Sequence, residues 1–205
     1  MQIDLFNQDP EARNPLIELN NARLLFFENY FSQKESDLLF KHLIENITWK
    51  QDHINIYGRL LELPRLSAWY GDDDKPYTYS GITLNPNIWT THLLEIKKAV
   101  EKEAQTKFSS VLLNRYREGQ DYIGWHTDSE KELGKNPIIG SVNFGAPRKF
   151  QLRRIDNPKE KFEVELGHGS VLIMMGETQH YWQHQVPKTA KKIGERINLT
   201  FRKIQ

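Results

Sequence analysis

Ile123-Gly124-Trp125-His126-Thr127-Asp128, followed later by His184 and by the run Arg196-Ile197-Asn198-Leu199-Thr200-Phe201-Arg202, decides how this chain reads. In an extended strand alternate side chains point to the same face, so His126 and Asp128 can reach one metal ion together. A later histidine completes a set of two imidazoles and one carboxylate. Such a set holds non-haem iron from one side and leaves the other coordination positions open.

The run from Arg196 to Arg202 alternates polar and apolar residues along its whole length. As a strand it carries Arg196, Asn198, Thr200 and Arg202 on one face and Ile197, Leu199 and Phe201 on the other. Packing the apolar face against a helix turns the polar face toward the interior. Interior guanidiniums need anions, because an unpaired buried charge costs several kcal/mol. A small dicarboxylate answers both arginines through paired hydrogen bonds, which a guanidinium forms better than an ammonium. Asn114 and Tyr116 share a face of Leu112-Leu113-Asn114-Arg115-Tyr116 and add an amide and a phenol to the same interior. The plain alternative is an exposed edge strand whose arginines meet solvent.

Seven histidines compete for the ligand positions. His42 and His92 fall on or beside expected helices, His53 lies in a turn-rich stretch, and Gly167-His168-Gly169 reads as a tight turn in which the imidazole makes a local hydrogen bond. The third ligand is therefore His180 or His184. Four residues apart, they share a face if the segment is a strand, and spacing does not choose between them.

Composition limits the chemistry. The 205 residues include no cysteine, which excludes disulfides, thiolate zinc sites and cysteine nucleophiles. A net charge of +1 gives no whole-molecule attraction for nucleic acid and leaves only a local basic face. The residues Arg148, Lys149, Arg153, Arg154, Lys159 and Lys161 read as a solvated hairpin, or, between Arg148 and Arg154, as a local phosphate surface. No run of about 18 apolar residues and no basic-then-apolar start is present, so no membrane association is expected. The expectation is an intracellular monomer, cytoplasmic if bacterial and nuclear if eukaryotic.

Met1 to Asn21 carries Pro10 and Pro15 without a sustained period and reads as an irregular leader. Ser32-Gln33-Lys34-Glu35 has the form of a capping box, and Leu38, Leu39, Leu43 and Ile47 follow at helical spacing, so a helix of about 14 residues starts there. A second amphipathic helix is predicted from Trp89 to Thr106. The aromatic, turn-rich stretch between them reads as a β-ribbon or cover, with Asp72, Asp73 and Asp74 as a solvated turn. After Ser109 the pattern becomes short strands: Val111 to Tyr116, Ile139 to Phe144, Lys149 to Arg154, Lys161 to Leu166, Ser170 to Met175, Tyr181 to Gln185 and Ile197 to Arg202. A single mainly β domain with flanking helices follows, as a sandwich, jelly roll or barrel. Residues 1–108 supply leader, helices and cover, and residues 109–205 the catalytic core.

The blocks Pro64-Arg65, Tyr70-Gly71-Asp72, Tyr77-Thr78-Tyr79-Ser80-Gly81, Asn114-Arg115-Tyr116, Ile123 to Asp128, Pro137-Ile138, Ser141 to Gly145, His168-Gly169-Ser170, Trp182-Gln183-His184 and Arg196 to Ile204 stand in an order that resembles the AlkB family of iron(II)- and 2-oxoglutarate-dependent dioxygenases. Within it the chain is most similar to the branch of the human DNA repair homologue number two. The resemblance implies a double-stranded β-helix, or jelly roll, with an N-terminal nucleotide-recognition cover. It implies Fe(II) on His126, Asp128 and His184, which settles the choice against His180. It implies 2-oxoglutarate on Asn114, Tyr116, Arg196, Asn198, Thr200 and Arg202, with one arginine pairing the distal carboxylate, and O2 as the oxidant.

The implied activity is oxidative dealkylation of bases such as 1-methyladenine and 3-methylcytosine in single- or double-stranded DNA, a direct-reversal repair that releases formaldehyde, succinate and CO2. An alkylated base that pairs poorly costs less to flip out, and its positive charge favours an aromatic pocket. The resemblance puts Tyr77, Thr78 and Tyr79 in the base pocket and Tyr57 at the position of a wedge inserted into the duplex. Two departures stand out. The branch carries a second acid, used near the base, directly after the aspartate ligand, and this chain has Ser129 at that substrate-side position, with Glu130 following; the wedge is a tyrosine rather than an apolar residue. The alternatives are an RNA or modified-nucleotide demethylase of the same mechanism, a non-enzymatic binder of alkylated DNA, and a cupin-like zinc or sugar-binding module, which leaves the arginine pair unexplained.

Overall fold

A computed structural model describes residues 15–56, 58–72, 77–79, 82–84 and 86–205, with the backbone alone described at 55, 56, 59, 77–79 and 82–84. Two antiparallel sheets form the body. The larger contains β1 (Leu16–Leu19), β2 (Ala22–Phe27), β5 (Leu66–Gly71), β8 (Ser110–Tyr116), β10 (Ile139–Gly145), β13 (Ser170–Met175) and β15 (Arg196–Arg202), in the order β1-β2-β13-β10-β15-β8-β5. The smaller contains β9 (Ile123–His126), β11 (Arg148–Arg154), β12 (Lys161–Leu166) and β14 (Trp182–Val186), in the order β12-β11-β14-β9. From β8 onward the chain crosses between the sheets at every step but the β11–β12 hairpin, which is the wiring of a jelly roll. Two hairpins, β3 (His53–Ile56) with β4 (Arg59–Glu62) and β6 (Tyr77–Tyr79) with β7 (Ile82–Leu84), lie outside both sheets.

Helices α1 (Gln33–Asn46) and α2 (Thr91–Ala104) cover one face of the larger sheet. The expected capping box starts α1: Glu35 N–H donates to Ser32 Oγ at 3.3 Å, and Ser32 N–H donates to Glu35 Oε2 at 2.8 Å. Thr90 caps α2 by accepting from Leu93 N–H, and Gln105 in the left-handed region ends it, so the helix is shorter at both ends than the periodicity predicts. Leu43, Leu93, Ile96 and Val100 from the helices pack with Val142, Phe144, Ile197, Leu199 and Phe201 of the sheet. A second core between the sheets unites Leu24, Trp69, Phe150, Leu152, Leu172, Trp182 and Val186. At about 25 cal/mol per Å2 of apolar surface, these two layers dominate the favourable side of folding. Gly169 (φ +77°) lets α1 approach closely, since a Cβ there would lie 2.7 Å from the Phe31 carbonyl oxygen.

Four expectations need correction. Leu16–Leu19 is a strand paired with Ala22–Phe27, so the leader is not irregular up to Asn21. Leu66–Gly71 is an edge strand of the larger sheet, so the stretch read as cover is partly sheet. Tyr181 ends a one-turn helix, α3 (Thr178–Tyr181), and the strand begins at Trp182. The basic run after Arg148 is not a free phosphate surface. Arg148 is buried and donates to the carbonyls of Asp121 and Pro187, while Arg154 is buried against Asp156 and the Asn20 carbonyl. Lys149 pairs with Glu163, and Arg153 lies over the Trp125 ring. Among the described residues no helix is long and apolar enough to cross a membrane.

Candidate metal and dicarboxylate site

The site opens between the sheets. On the smaller sheet His126 of β9 and His184 of β14 are direct cross-strand partners, which brings their ring centroids to 4.2 Å. Asp128 is not on that strand, contrary to the same-face argument; it lies two residues beyond its end. Gln179 fixes it there by accepting from Asp128 N–H at 2.8 Å. Ligand atoms of His126, Asp128 and His184 all lie within 4.8 Å of one another, so the three can hold a metal ion. His180 sits on α3, exposed and hydrogen-bonded to Asn136, and so shares no strand face with His184.

The surroundings of the donors suit a metal. His126 Nδ1 lies 2.8 Å from the Gly124 carbonyl oxygen, which makes that nitrogen the donor and frees Nε2 for a ligand bond. Burial, reinforced by His126, pushes His184 down to about 3, so its ring is neutral. Burial alone would raise the Asp128 pKa, but the charge and hydrogen bond of Arg202 oppose it, and the carboxyl lies below its ordinary value. A neutral His184, a His126 ring that turns Nε2 away from its carbonyl bond and an ionised Asp128 fit a divalent iron ion.

The larger sheet supplies the remaining polar lining of the pocket. Leu112, Asn114 and Tyr116 of β8, Ser141 of β10 and Arg196, Asn198, Thr200 and Arg202 of β15 line it, with Ile123, Phe150, Met174 and Val186 as apolar wall. It encloses about 500 Å3 not filled by protein atoms, the open mouth included. All seven residues of β15 are buried, the apolar set against the helices and the polar set toward this pocket, as the alternation predicts. Arg202 Nη2 donates to Asp128 Oδ1 at 2.5 Å, which ties one arginine to the metal end. Arg196 lies 5.0 Å from the Tyr116 ring centroid; its Nη2 donates to Asn143 Oδ1 at 2.6 Å, while its Nε and Nη1 are buried with no hydrogen-bond partner among the described residues. Burial lowers its pKa to about 10, which leaves it cationic at neutral pH. Buried donors on a cation without an acceptor are the signature of an anion site.

The sequence-predicted residues therefore converge on one pocket, apart from those assigned to the base. Ser129 is exposed, its hydroxyl 2.7 Å from that of Thr127. Tyr77, Thr78 and Tyr79 form β6, of which the backbone alone is described, and Tyr57 lies outside the described residues. Three residues given no role from sequence support the pocket: Gln179 behind Asp128, Asn143 behind Arg196, and Arg65, whose Nε donates to Asn114 Oδ1 at 2.9 Å. Asn143 could have been found from the alternation of Ser141-Val142-Asn143-Phe144; Gln179 carries no such signal.

Two imidazoles and a carboxylate at one end of a jelly-roll pocket, with a buried guanidinium awaiting an anion, define a mononuclear non-haem iron protein with an acidic cosubstrate. The model of the 2OG-Fe(II) oxygenase superfamily matches residues 23–202, and the chain belongs to that superfamily, in the AlkB family near the ALKBH2 and ALKBH3 branch. Alpha-ketoglutarate-dependent dioxygenase alkB homolog 3 of Bos taurus is 40% identical over 192 residues, which are 89% of this chain and 66% of that protein. DNA oxidative demethylase ALKBH2 of Homo sapiens is 39% identical over 184 residues, 85% of this chain and 70% of the relative. The chain thus spans 66% of the length of the bovine alkB homolog 3. The solved structure of OsALKBH1 shares the fold, with a TM-score of 0.63 over 92% of this chain and 100% of the other at 17% identity.

Proposed function

We propose that this chain is an iron(II)- and 2-oxoglutarate-dependent dealkylase of N-alkylated bases in DNA, of the 1-methyladenine and 3-methylcytosine type. The observation that carries it is the metal-competent triad sharing one pocket with the unanswered donors of Arg196. His126, Asp128 and His184 would hold the iron. Arg196 would take the distal carboxylate of 2-oxoglutarate, with Tyr116, Asn114, Asn198 and Thr200 around it. Arg202 keeps Asp128 ionised and faces the metal end. When bound, iron with O2 and 2-oxoglutarate supplies the oxidation: one oxygen atom enters the N-alkyl carbon, the other enters succinate as CO2 leaves, and the hydroxymethyl group departs as formaldehyde. The protein's share is orientation and a dry, walled cavity.

DNA as substrate rests on the relatives' names, one of which is a DNA oxidative demethylase. The test is release of succinate and formaldehyde from methylated single-stranded DNA, duplex DNA and RNA oligonucleotides, each with and without 2-oxoglutarate. Turnover on DNA that needs iron and 2-oxoglutarate is expected. Turnover on RNA alone would replace the substrate, and tight binding of methylated DNA without any turnover would make the chain a binder. His126→Ala and Asp128→Ala should each abolish activity; iron-dependent turnover surviving in either would refute the ligand assignment.

A further inference from the structure

Asn143 plays no part in the chemistry above, yet it is 1% exposed and sits at the centre of the larger sheet, paired in register with Asn198 of β15 and Ser170 of β13. Its four recorded hydrogen bonds divide by direction. Oδ1 accepts from Arg196 Nη2 at 2.6 Å and from Asn198 Nδ2 at 3.1 Å, whereas Nδ2 donates to the Ser170 carbonyl at 3.4 Å and to Ser170 Oγ at 3.3 Å. Ser170 Oγ in turn donates to the Gly167 carbonyl at 2.8 Å, so the amide is oriented from behind by a fixed turn. The carboxamide thus presents one neutral oxygen to two residues of the pocket.

We infer that Asn143 is the positioning residue for the distal-carboxylate end of the cosubstrate site: it engages one guanidinium nitrogen of Arg196 and so aims the rest of the fork, beside the Tyr116 ring, at the incoming carboxylate. Neutrality is central to the argument. A carboxylate at 143 would hold the same nitrogen equally well, but it would pair the charge of Arg196 before the cosubstrate arrives and repel the anion. An aliphatic residue would leave a third donor unanswered and the guanidinium free to rotate. The amide orients the cation without neutralising it.

This inference rests on the proposed function, and the test separates the two. The protein is loaded with Mn(II) under nitrogen, and 2-oxoglutarate is titrated by calorimetry into wild type, Asn143→Ala and Asn143→Asp, with Mn(II) affinity and Tm measured alongside. Wild type should bind 2-oxoglutarate; no binding by wild type would sink the reading of the pocket itself. Both variants should bind it at least about tenfold more weakly, the loss typical of a hydrogen bond to a charged group, while Mn(II) affinity stays unchanged. Asn143→Asp loses the bond to the Ser170 carbonyl but gives the buried Arg196 a counter-ion, so its Tm should fall less than that of Asn143→Ala while its 2-oxoglutarate affinity falls at least as far. A purely structural role instead makes affinity follow Tm, with Asn143→Asp the tighter binder of the two. That outcome, or unchanged 2-oxoglutarate affinity in either variant, would overturn the assignment.

Discussion

Arg196 and Arg202 occupy equivalent positions in an alternating strand, and only their neighbours distinguish them. Arg202 is spent on Asp128, 74 residues earlier in the chain, so it answers an internal anion and holds a metal-competent carboxylate ionised. Arg196 has Asn143 on one nitrogen and the Tyr116 ring beside it, and among the described residues no anion answers its charge. Arg196→Lys keeps the charge but loses the fork that grips a carboxylate with two parallel bonds. It should weaken 2-oxoglutarate by roughly tenfold or more, the scale of a charge-assisted hydrogen bond, and leave Mn(II) affinity alone. Arg202→Ala should weaken both, because Asp128 then sits buried without its cation. Calorimetric titration of each ligand reads the difference, and equal behaviour of the two variants would remove the division of roles. The sequence shows that both arginines face inward. It cannot show which is free, since that depends on where a loop residue from another strand's end arrives.

At the scale of elements, the loop between β8 and β9 sets where the ligand strand begins, and Asp121 organises it. Its carboxylate accepts from Arg117 N–H at 2.9 Å, from Arg117 Nε at 2.8 Å and from Arg117 Nη2 at 2.9 Å, while its carbonyl accepts from Arg148. Burial would raise the Asp121 pKa, but the bonds from Arg117 prevail and hold it below the usual value. A depressed carboxylate stabilises the fold above its unfolded pKa of about 3.9, and that contribution disappears as pH falls through the lower folded value. Asp121→Asn should therefore unfold at lower urea than wild type at pH 7, with the gap closing in strongly acidic solution; a gap independent of pH would contradict this. The α1 cap gives a cleaner control. Ser32→Ala should cost about 1 kcal/mol in chemical denaturation and leave 2-oxoglutarate affinity untouched. That cap was legible because its signal lies within four residues, as was β15, whose two faces meet different surroundings. By contrast β5 reads as cover in the sequence: from Ser67 to Gly71 it is buried throughout, so its alternation is blank, and Leu16-Ile17-Glu18-Leu19 is too short to show a period before its partner is known.

For the molecule as a whole, the site is divided between the two sheets. His126 and His184 belong to the smaller sheet, Arg196 and Arg202 to the larger, and Asp128 sits at the seam, bonded to Arg202 and supported by Gln179. A metal ion alone would be held by the smaller sheet and the seam, and a dicarboxylate alone by Arg196 of the larger sheet. Together they would bridge the two layers of the jelly roll. A ligand that binds only the folded state stabilises it by RT ln(1 + [L]/Kd), about 2.7 kcal/mol at a hundredfold excess over Kd, and coupled ligands lower each other's Kd. The shift in Tm with Mn(II) and 2-oxoglutarate together should thus exceed the sum of the separate shifts. Arg196→Lys should reduce that excess while preserving the shift with Mn(II) alone. Strictly additive shifts in the wild type would mean that metal and dicarboxylate occupy separate places, and the continuous bridge across the sheets would have to be abandoned.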